Sequence, residues 1–200
     1  MSRLTALTAL AWAILTPLAV AQHPLEVAPT VGVYIPTGKM FDEFDSSCGC
    51  HSTIAQQSGL VYGVHLGFGA ASRVTLEMTA DMGISRVRVA EPSQPVASIP
   101  GTVFIFGARL RVNARRGAVT TPYLSAGVAY LAHSSDFYAG SDFNDVGALS
   151  LGVGLRVVAG RHLAGRIDVE DYHYGVQVGS TAPRQLDNDL VLSVGLGLMP

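Results

Sequence analysis

The chain alternates apolar and polar residues without a break from Val74 to Ile84. Successive side chains of a β-strand point to opposite faces, so this segment predicts a strand with one apolar and one polar face. It is about twice as long as a usual strand of roughly 5–6 residues, and it matches the roughly 9–11 residues with which a tilted strand crosses a bilayer. Because the polar face includes Glu77 and Asp81, the pattern favours a transmembrane β-barrel whose apolar face contacts lipid.

Seven further segments repeat the alternation and bring the predicted number of strands to eight, the smallest even number in such barrels. The predicted fold is therefore all-β, an eight-stranded antiparallel up-and-down transmembrane β-barrel. Side chains of one parity are expected to face lipid, among them Leu76, Val128, Leu151, Val153 and Leu192. The predicted strands are 28–35, 60–69, 74–84, 102–112, 122–132, 149–157, 163–172 and 190–198.

The connections between these segments alternate in length. Four are long and polar, at 36–57, 88–101, 133–145 and 173–188, and the links around 71–72, 113–121 and 159–162 are shorter. Outer-membrane barrels have short periplasmic turns and longer extracellular loops, so both termini are predicted to be periplasmic. Tyr62, Phe104 and Tyr130 would then lie at the outer interface, and Phe68 at the inner one.

Composition agrees with an exported membrane barrel. Arg3, the uncharged and mostly apolar stretch 4–20 and the small residues at 19–21 predict a signal peptide over 1–21, cleaved before Gln22, and a barrel domain over 22–200. Charged residues make up 14% of the chain, against about 25% in soluble domains. The net charge of -2 argues against a nucleic-acid partner, because the chain has no basic stripe that could neutralise phosphates. The uncharged stretch 117–135 has a period of two, so no transmembrane helix is expected.

Three stretches resemble the bacterial outer-membrane β-barrel family, in particular its small eight-stranded OmpA/OmpX-type members. They are 29–38 (PTVGVYIPTG), 122–130 (PYLSAGVAY) and 152–156 (GVGLR) leading to 166–172 (RIDVEDY). The resemblance implies a location in the bacterial outer membrane, contact with outer-membrane lipid and lipopolysaccharide, and insertion by the barrel-insertion machinery. It implies no particular activity, because this fold supports adhesins, enzymes and small channels. Family members usually end on an aromatic residue, whereas this sequence ends Leu198-Met199-Pro200.

Eight charged residues have the parity of the barrel interior, four of each sign: Glu77, Asp81, Asp168, Glu170, Arg109, Arg111, Arg156 and Arg166. They could line a selective pore, or they could fill the lumen as ion pairs, because an eight-stranded barrel is only wide enough for side chains to fill it. Equal numbers favour pairing, since an unpaired charge in a narrow lumen is costly. We expect Arg109 and Arg111 to pair with the carboxylates of the third predicted strand, and Arg156 and Arg166 with those of the seventh.

The only two cysteines, Cys48 and Cys50, lie in the first outer loop beside His51. Thiolate and imidazole suit a soft divalent metal, but a structural zinc site needs about four ligands and only three lie close together here. In an exported protein a disulfide is the more usual state of such a pair. We therefore expect Cys48 and Cys50 to be oxidised, with no metal and no other cofactor.

Residues 133–136 (HSSD) raise the question of an enzyme. They loosely resemble the His-x-Ser-Asn motif of the lipid A 3-O-deacylases, which are also eight-stranded outer-membrane barrels. Asp136 replaces the Asn of that motif, no Glu follows at the family's interval, and His133 has interior parity, so no catalytic residue is predicted. The expected function is structural, or surface interaction through the outer loops. A small channel or carrier for hydrophobic solutes is the alternative, and a deacylase-like hydrolase is the less favoured one.

Overall fold

The structure, a computed structural model, describes residues 25–38, 41–45, 50–69, 73–90, 95–115, 118–134, 145–176 and 185–200. No helix among these residues is long and apolar enough to cross a membrane. The signal peptide predicted over 1–21 lies outside the described residues. The strands are β1 (Leu25–Pro36), β2 (Phe41–Asp45), β3 (Cys50–Gln56), β4 (Gly59–Gly69), β5 (Val74–Ala90), β6 (Ala97–Asn113), β7 (Thr120–Ser134), β8 (Asp145–Val158), β9 (Leu163–Val176) and β10 (Gln185–Leu198).

Eight of these strands close into one antiparallel barrel in the order β1-β4-β5-β6-β7-β8-β9-β10, and β10 pairs back onto β1. A path that starts at Leu25 on β1 and steps from each residue to its ladder partner on the next strand returns to β1 at Ile35. The barrel therefore has a stagger of ten residues. Ten residues rising about 3.3 Å each, against eight strands about 4.8 Å apart, give a strand tilt of about 41°. The predicted eight-stranded up-and-down barrel is confirmed.

The end of the barrel that the sequence predicts to face outward is called the outer end here, and its connections differ from the predicted loops. The expected loop at 88–101 is mostly strand, because β5 continues to Ala90 and β6 begins at Ala97, so that each has 17 residues. Within the expected loop at 36–57, β2 and β3 form a hairpin, and β3 pairs with β5 from Gln56 opposite Val87 to Thr53 opposite Ala90. This pairing satisfies backbone groups that the long β5 would otherwise leave unpaired above the barrel. We call β2, β3, the outer end of β5 (85–90) and the outer end of β6 (97–101) the outer sheet.

Side-chain parity divides the barrel into an apolar wall and a filled lumen, as the alternation predicts. Val128, Leu151, Val153 and Leu192 are exposed on the outward wall, and Leu76 is half-buried there. Among the outward aromatic residues, Tyr62 lies toward the outer end of β4 and Tyr130 toward that of β7, whereas Phe68 lies at the inner end of β4. Phe104 lies near the outer end of the part of β6 that pairs with β7. The inward side chains are mostly buried and form the site described next.

Candidate functional site

Two layers of side chains fill the lumen. Toward the end of the barrel at which β1 begins and β10 ends lies an ionic layer of Glu26, His65, Glu77, Asp81, Arg109, Arg111, Arg156, Arg166, Asp168 and Glu170. Toward the outer end lies an apolar layer of Tyr34, Val61, Val103, Ile105, Ala129, Leu131, Ala148, Tyr172, Tyr174 and Val191. All of these side chains project from the barrel strands, so the rigid sheet fixes their positions.

Glu77 is the centre of the ionic layer and is 0% exposed. Its carboxylate accepts hydrogen bonds from Arg109 Nε at 2.7 Å, Arg111 Nη1 at 2.9 Å and Arg166 Nη1 at 2.8 Å. Arg109 lies directly opposite Glu77 in the β5–β6 ladder, whereas Arg166 reaches it from β9, across the lumen. One carboxylate therefore joins three strands, and the predicted pairing of Glu77 with Arg109 and Arg111 is confirmed.

These three arginines also contact a second carboxylate. Arg166 donates to Asp168 Oδ2 from Nε at 2.7 Å and to Asp168 Oδ1 from Nη2 at 2.9 Å. Arg109 pairs with Glu170 through Nη1. Arg111 Nη2 donates to Glu26 Oε2 at 3.3 Å. Charge-assisted bonds of this kind are roughly twice as strong as neutral ones, and the sharing makes the layer one connected network.

Two parts of the predicted pairing are wrong. Arg156 binds Glu26, with 3.0 Å between Nε and Oε2, and not the carboxylates of β9. Arg156 lies directly opposite Arg166 in the β8–β9 ladder, and like charges at opposite positions repel, which favours the contact with Glu26. Glu26 was missed in the sequence prediction because the first predicted strand begins at Ala28. Glu26 shares the inward parity of Ala28 and Thr30 on β1.

Asp81 is the other correction, since no arginine binds it among the described contacts. Its Oδ1 lies 3.2 Å from His65 Nε2, and the Thr30 hydroxyl donates to the same oxygen at 3.4 Å. Arg109 Nη2 lies 3.3 Å from His65 Nδ1, and a guanidinium can only donate. This contact assigns the acceptor role to Nδ1 and the proton to Nε2. His65 therefore connects Asp81 to Arg109.

Tyrosines complete the network. The Tyr123 hydroxyl donates to Asp168, and the guanidinium carbons of Arg111 and Arg166 lie 5.3 and 5.8 Å from the centre of its ring. Both arginines are thus within cation–π range. Gly154, opposite Tyr123 in the β7–β8 ladder, leaves space for this ring, because an added Cβ would overlap Tyr123 Cζ.

The apolar layer contains one carboxylate, Asp189, which is 1% exposed. Tyr34 and Tyr174 donate to its Oδ2 from their hydroxyls at 2.6 and 2.8 Å. Around this group Val103, Ile105 and Leu131 are completely buried. The outer half of the lumen is therefore filled by apolar side chains and by tyrosines whose hydroxyls are used internally.

The other sequence candidates lie elsewhere or are not described. His133 is buried in the lumen, and its ring centre lies 6.3 Å from that of Tyr174. Ser135, Asp136 and Cys48 lie outside the described residues, as does the side chain of Cys50. Among the residues that are described, no group of three or more His, Cys, Asp or Glu side chains could hold a metal ion.

The comparisons with known proteins agree with this architecture. No protein-family model and no curated protein sequence matches the chain. The N-terminal barrel domain of Pseudomonas aeruginosa OprF aligns at a TM-score of 0.51 and 13% identity, over 90% of this chain and 98% of that one. Neisserial surface protein A aligns at a TM-score of 0.52 and 16% identity, over 87% and 96%. This chain has the fold of the small eight-stranded outer-membrane β-barrels.

A third structure, of the outer-membrane protein AlkL in lipid bilayers, aligns at a TM-score of 0.51 and 14% identity over 90% of both chains. At such low identities these likenesses describe the fold and leave the activity open.

Proposed function

We propose that this chain is a bacterial outer-membrane barrel with a sealed lumen, which serves as a non-enzymatic scaffold for contacts at the cell surface. The observation that supports the sealed lumen is the pair of stacked layers, ionic below and apolar above. The outer sheet supports the surface role, because it extends the barrel beyond its rim.

The apolar layer opposes conduction more strongly than the ionic layer does. An ion that entered from outside would leave its hydration shell among Val103, Ile105 and Leu131, which provide no hydrogen bonds in exchange. Below them, the arginines of the ionic layer already hold carboxylates. A hydrophobic solute would have to displace several fully buried side chains, so the same layer gives little support to a carrier.

The outer sheet is a structured surface. The last described pair between β6 and β7 joins Thr102 to Ser134, and β6 continues outward from there to Ala97 beside β5. Arg86 fixes the two strands to each other, since its Nε and Nη2 donate to the Ser98 hydroxyl and carbonyl at 2.8 and 2.9 Å. Such a platform can hold a ligand-binding surface in place above the membrane.

A deacylase-like hydrolase receives less support. An enzyme that attacks lipid acyl chains needs its base and nucleophile on the outward wall, and His133 lies in the lumen. The proposal therefore retains no catalytic residue.

Conductance tests the sealed lumen. We expect the mature chain in a planar bilayer to show no steady current, because both layers are filled. A steady, ion-selective current from the wild-type chain would contradict the proposal and favour the channel. Uptake of an apolar dye into proteoliposomes, absent from liposomes without protein, would favour the carrier.

Accessibility on intact cells tests the orientation. In a Cys48→Ser/Cys50→Ser background, Ser98→Cys in the outer sheet should react with a membrane-impermeant thiol reagent. His162→Cys, in the turn between β8 and β9, should react only after the cells are opened. Labelling of His162→Cys alone on intact cells would reverse the proposed orientation.

A further inference from the structure

A cluster of polar side chains, Asp171, His173 and Asn188, interrupts the apolar outward wall. Asp171 follows Ile167 and Val169 on the outward face of β9, and its paired residues are Leu151 on β8 and Leu190 on β10. With the strand tilt above, Asp171 lies about 19 Å above Leu25 along the barrel axis, whereas Ile84, at the outer end of the wall, lies about 26 Å above it. Among the described residues, Asp171 is the only carboxylate on the outward wall at this depth.

Asp171 is held by two neighbours and still has acceptor capacity. His173 Nε2 lies 3.0 Å from Asp171 Oδ2, and Asn188 Nδ2 donates to Oδ1 at 3.1 Å. A carboxylate has about four acceptor positions, so about two remain. The side chain is 31% exposed, on the outward side of the barrel. Inside a bilayer, a polar group that finds no partner is costly, and an ionisable residue at such a depth is a candidate functional site.

An apolar groove leads up to this carboxylate. The groove has a volume of ≈ 730 Å³ and runs between β6, β7, β8 and β9, over the small residues Ala126 and Gly152. Leucine and valine side chains form its sides, and Asp171 and Leu190 lie at its outer end. The lining residues include Leu110, Val112, Leu124, Leu151, Val153 and Val169. An acyl chain in the groove would therefore place its attachment to the headgroup beside Asp171.

We propose that the groove and the cluster of Asp171, His173 and Asn188 together bind one outer-leaflet lipid that has hydroxyl or amide N–H donors where its acyl chains join the headgroup. The ester carbonyls of a diacyl phospholipid are acceptors, and a carboxylate cannot bond to them. Hydroxylated or amide-linked acyl chains offer donors at the depth of Asp171, and a hydrogen bond to a charged acceptor is stronger than a neutral one. This inference rests on the membrane location proposed above.

Two lipids with the same phosphocholine headgroup test the proposal. Sphingomyelin has an amide N–H and a hydroxyl at the headgroup junction, whereas phosphatidylcholine has only esters there. Native mass spectrometry of the mature chain in an equimolar mixture should show about a tenfold preference for sphingomyelin, the size expected for one charge-assisted hydrogen bond. Asp171→Leu should remove the preference. Val169→Leu, which changes the groove and leaves the carboxylate, should keep it.

Three results would overturn the proposal. The first is equal retention of both lipids by the wild type, and the second is an unchanged preference in Asp171→Leu. The third is a wild-type dimer that Asp171→Leu converts to a monomer, which would assign the cluster to a contact between copies. Gel mobility of the heated and unheated variant shows whether the barrel has formed. Conductance is recorded separately, so a sealed barrel without lipid preference refutes only this inference, and a conducting barrel refutes only the sealed lumen.

Discussion

Replacement of Glu77 by glutamine removes the charge at the centre of the ionic layer while it preserves the shape of the side chain. Three guanidinium groups then lose their shared carboxylate within a site where Glu77 is 0% exposed. Breaking a buried ion pair by removal of one partner costs roughly 3–5 kcal/mol. Because each of these arginines keeps a second carboxylate, we expect the loss in free energy of unfolding to lie near the lower end, at about 3 kcal/mol.

The structure also predicts how well a second substitution restores stability. Arg111→Met should recover more of the loss than Arg109→Met in the Glu77→Gln background. Glu26, the second partner of Arg111, keeps Arg156 when Arg111 is removed. Removal of Arg109 instead leaves Glu170 without an arginine, and among the described residues only the Tyr172 hydroxyl would still donate to it.

Urea titration of the barrel in lipid vesicles, followed by circular dichroism and gel mobility, measures these free energies. Arg161→Gln, at an exposed turn, is the control and should change stability by less than about 0.5 kcal/mol. If Glu77→Gln unfolds at the wild-type midpoint with an unchanged slope, the layer is hydrated and the argument from buried charge is wrong. If both double variants recover equally, the assignment of second partners is wrong.

Two further predictions concern packing and the outer loop. Gly154→Ala should destabilise the barrel by about 1–3 kcal/mol in the same titration, because the added Cβ would overlap the ring of Tyr123. Gly165→Ala is the control and should be close to neutral, because its added Cβ would meet nothing within 4 Å. Equal effects of the two substitutions would contradict the packing argument. Cys48 and Cys50 should be oxidised and metal-free in exported protein, and about one zinc per chain by elemental analysis would overturn this.

The alternation in the sequence determined most of the barrel, because side-chain parity depends only on position along a strand. The pairing of Glu77 with Arg109 could be predicted because both residues have interior parity and consecutive strands of an up-and-down barrel are neighbours. The contact of Arg156 with Glu26 could not, because it depends on the ten-residue stagger that brings β1 near β8 inside the lumen. That stagger is a property of the closed barrel and has no local signal.

The hairpin of β2 and β3 and the group around Asp189 were missed for different reasons. The sequence of β2 and β3 alternates weakly, and β3 forms a strand because the extended β5 offers it a partner, while β2 pairs in turn with β3. Tyr34 and Tyr174 have interior parity, but their convergence on Asp189 requires β1, β9 and β10 to be packed together. A search for inward tyrosines near the outer strand ends would have identified Tyr34 and Tyr174 as candidates.

The bond between Arg166 and Glu77 has a consequence for the order of folding. β5 and β9 are the third and seventh strands of the barrel, so they face each other across the lumen, and the two residues are 89 positions apart in the chain. Their contact can form only once β1 has met β10 and the cylinder has closed. Interactions that form after the transition state affect the unfolding rate and leave the folding rate nearly unchanged. The ionic layer would then determine how long an inserted barrel persists, while the speed of its insertion depends on the strands themselves.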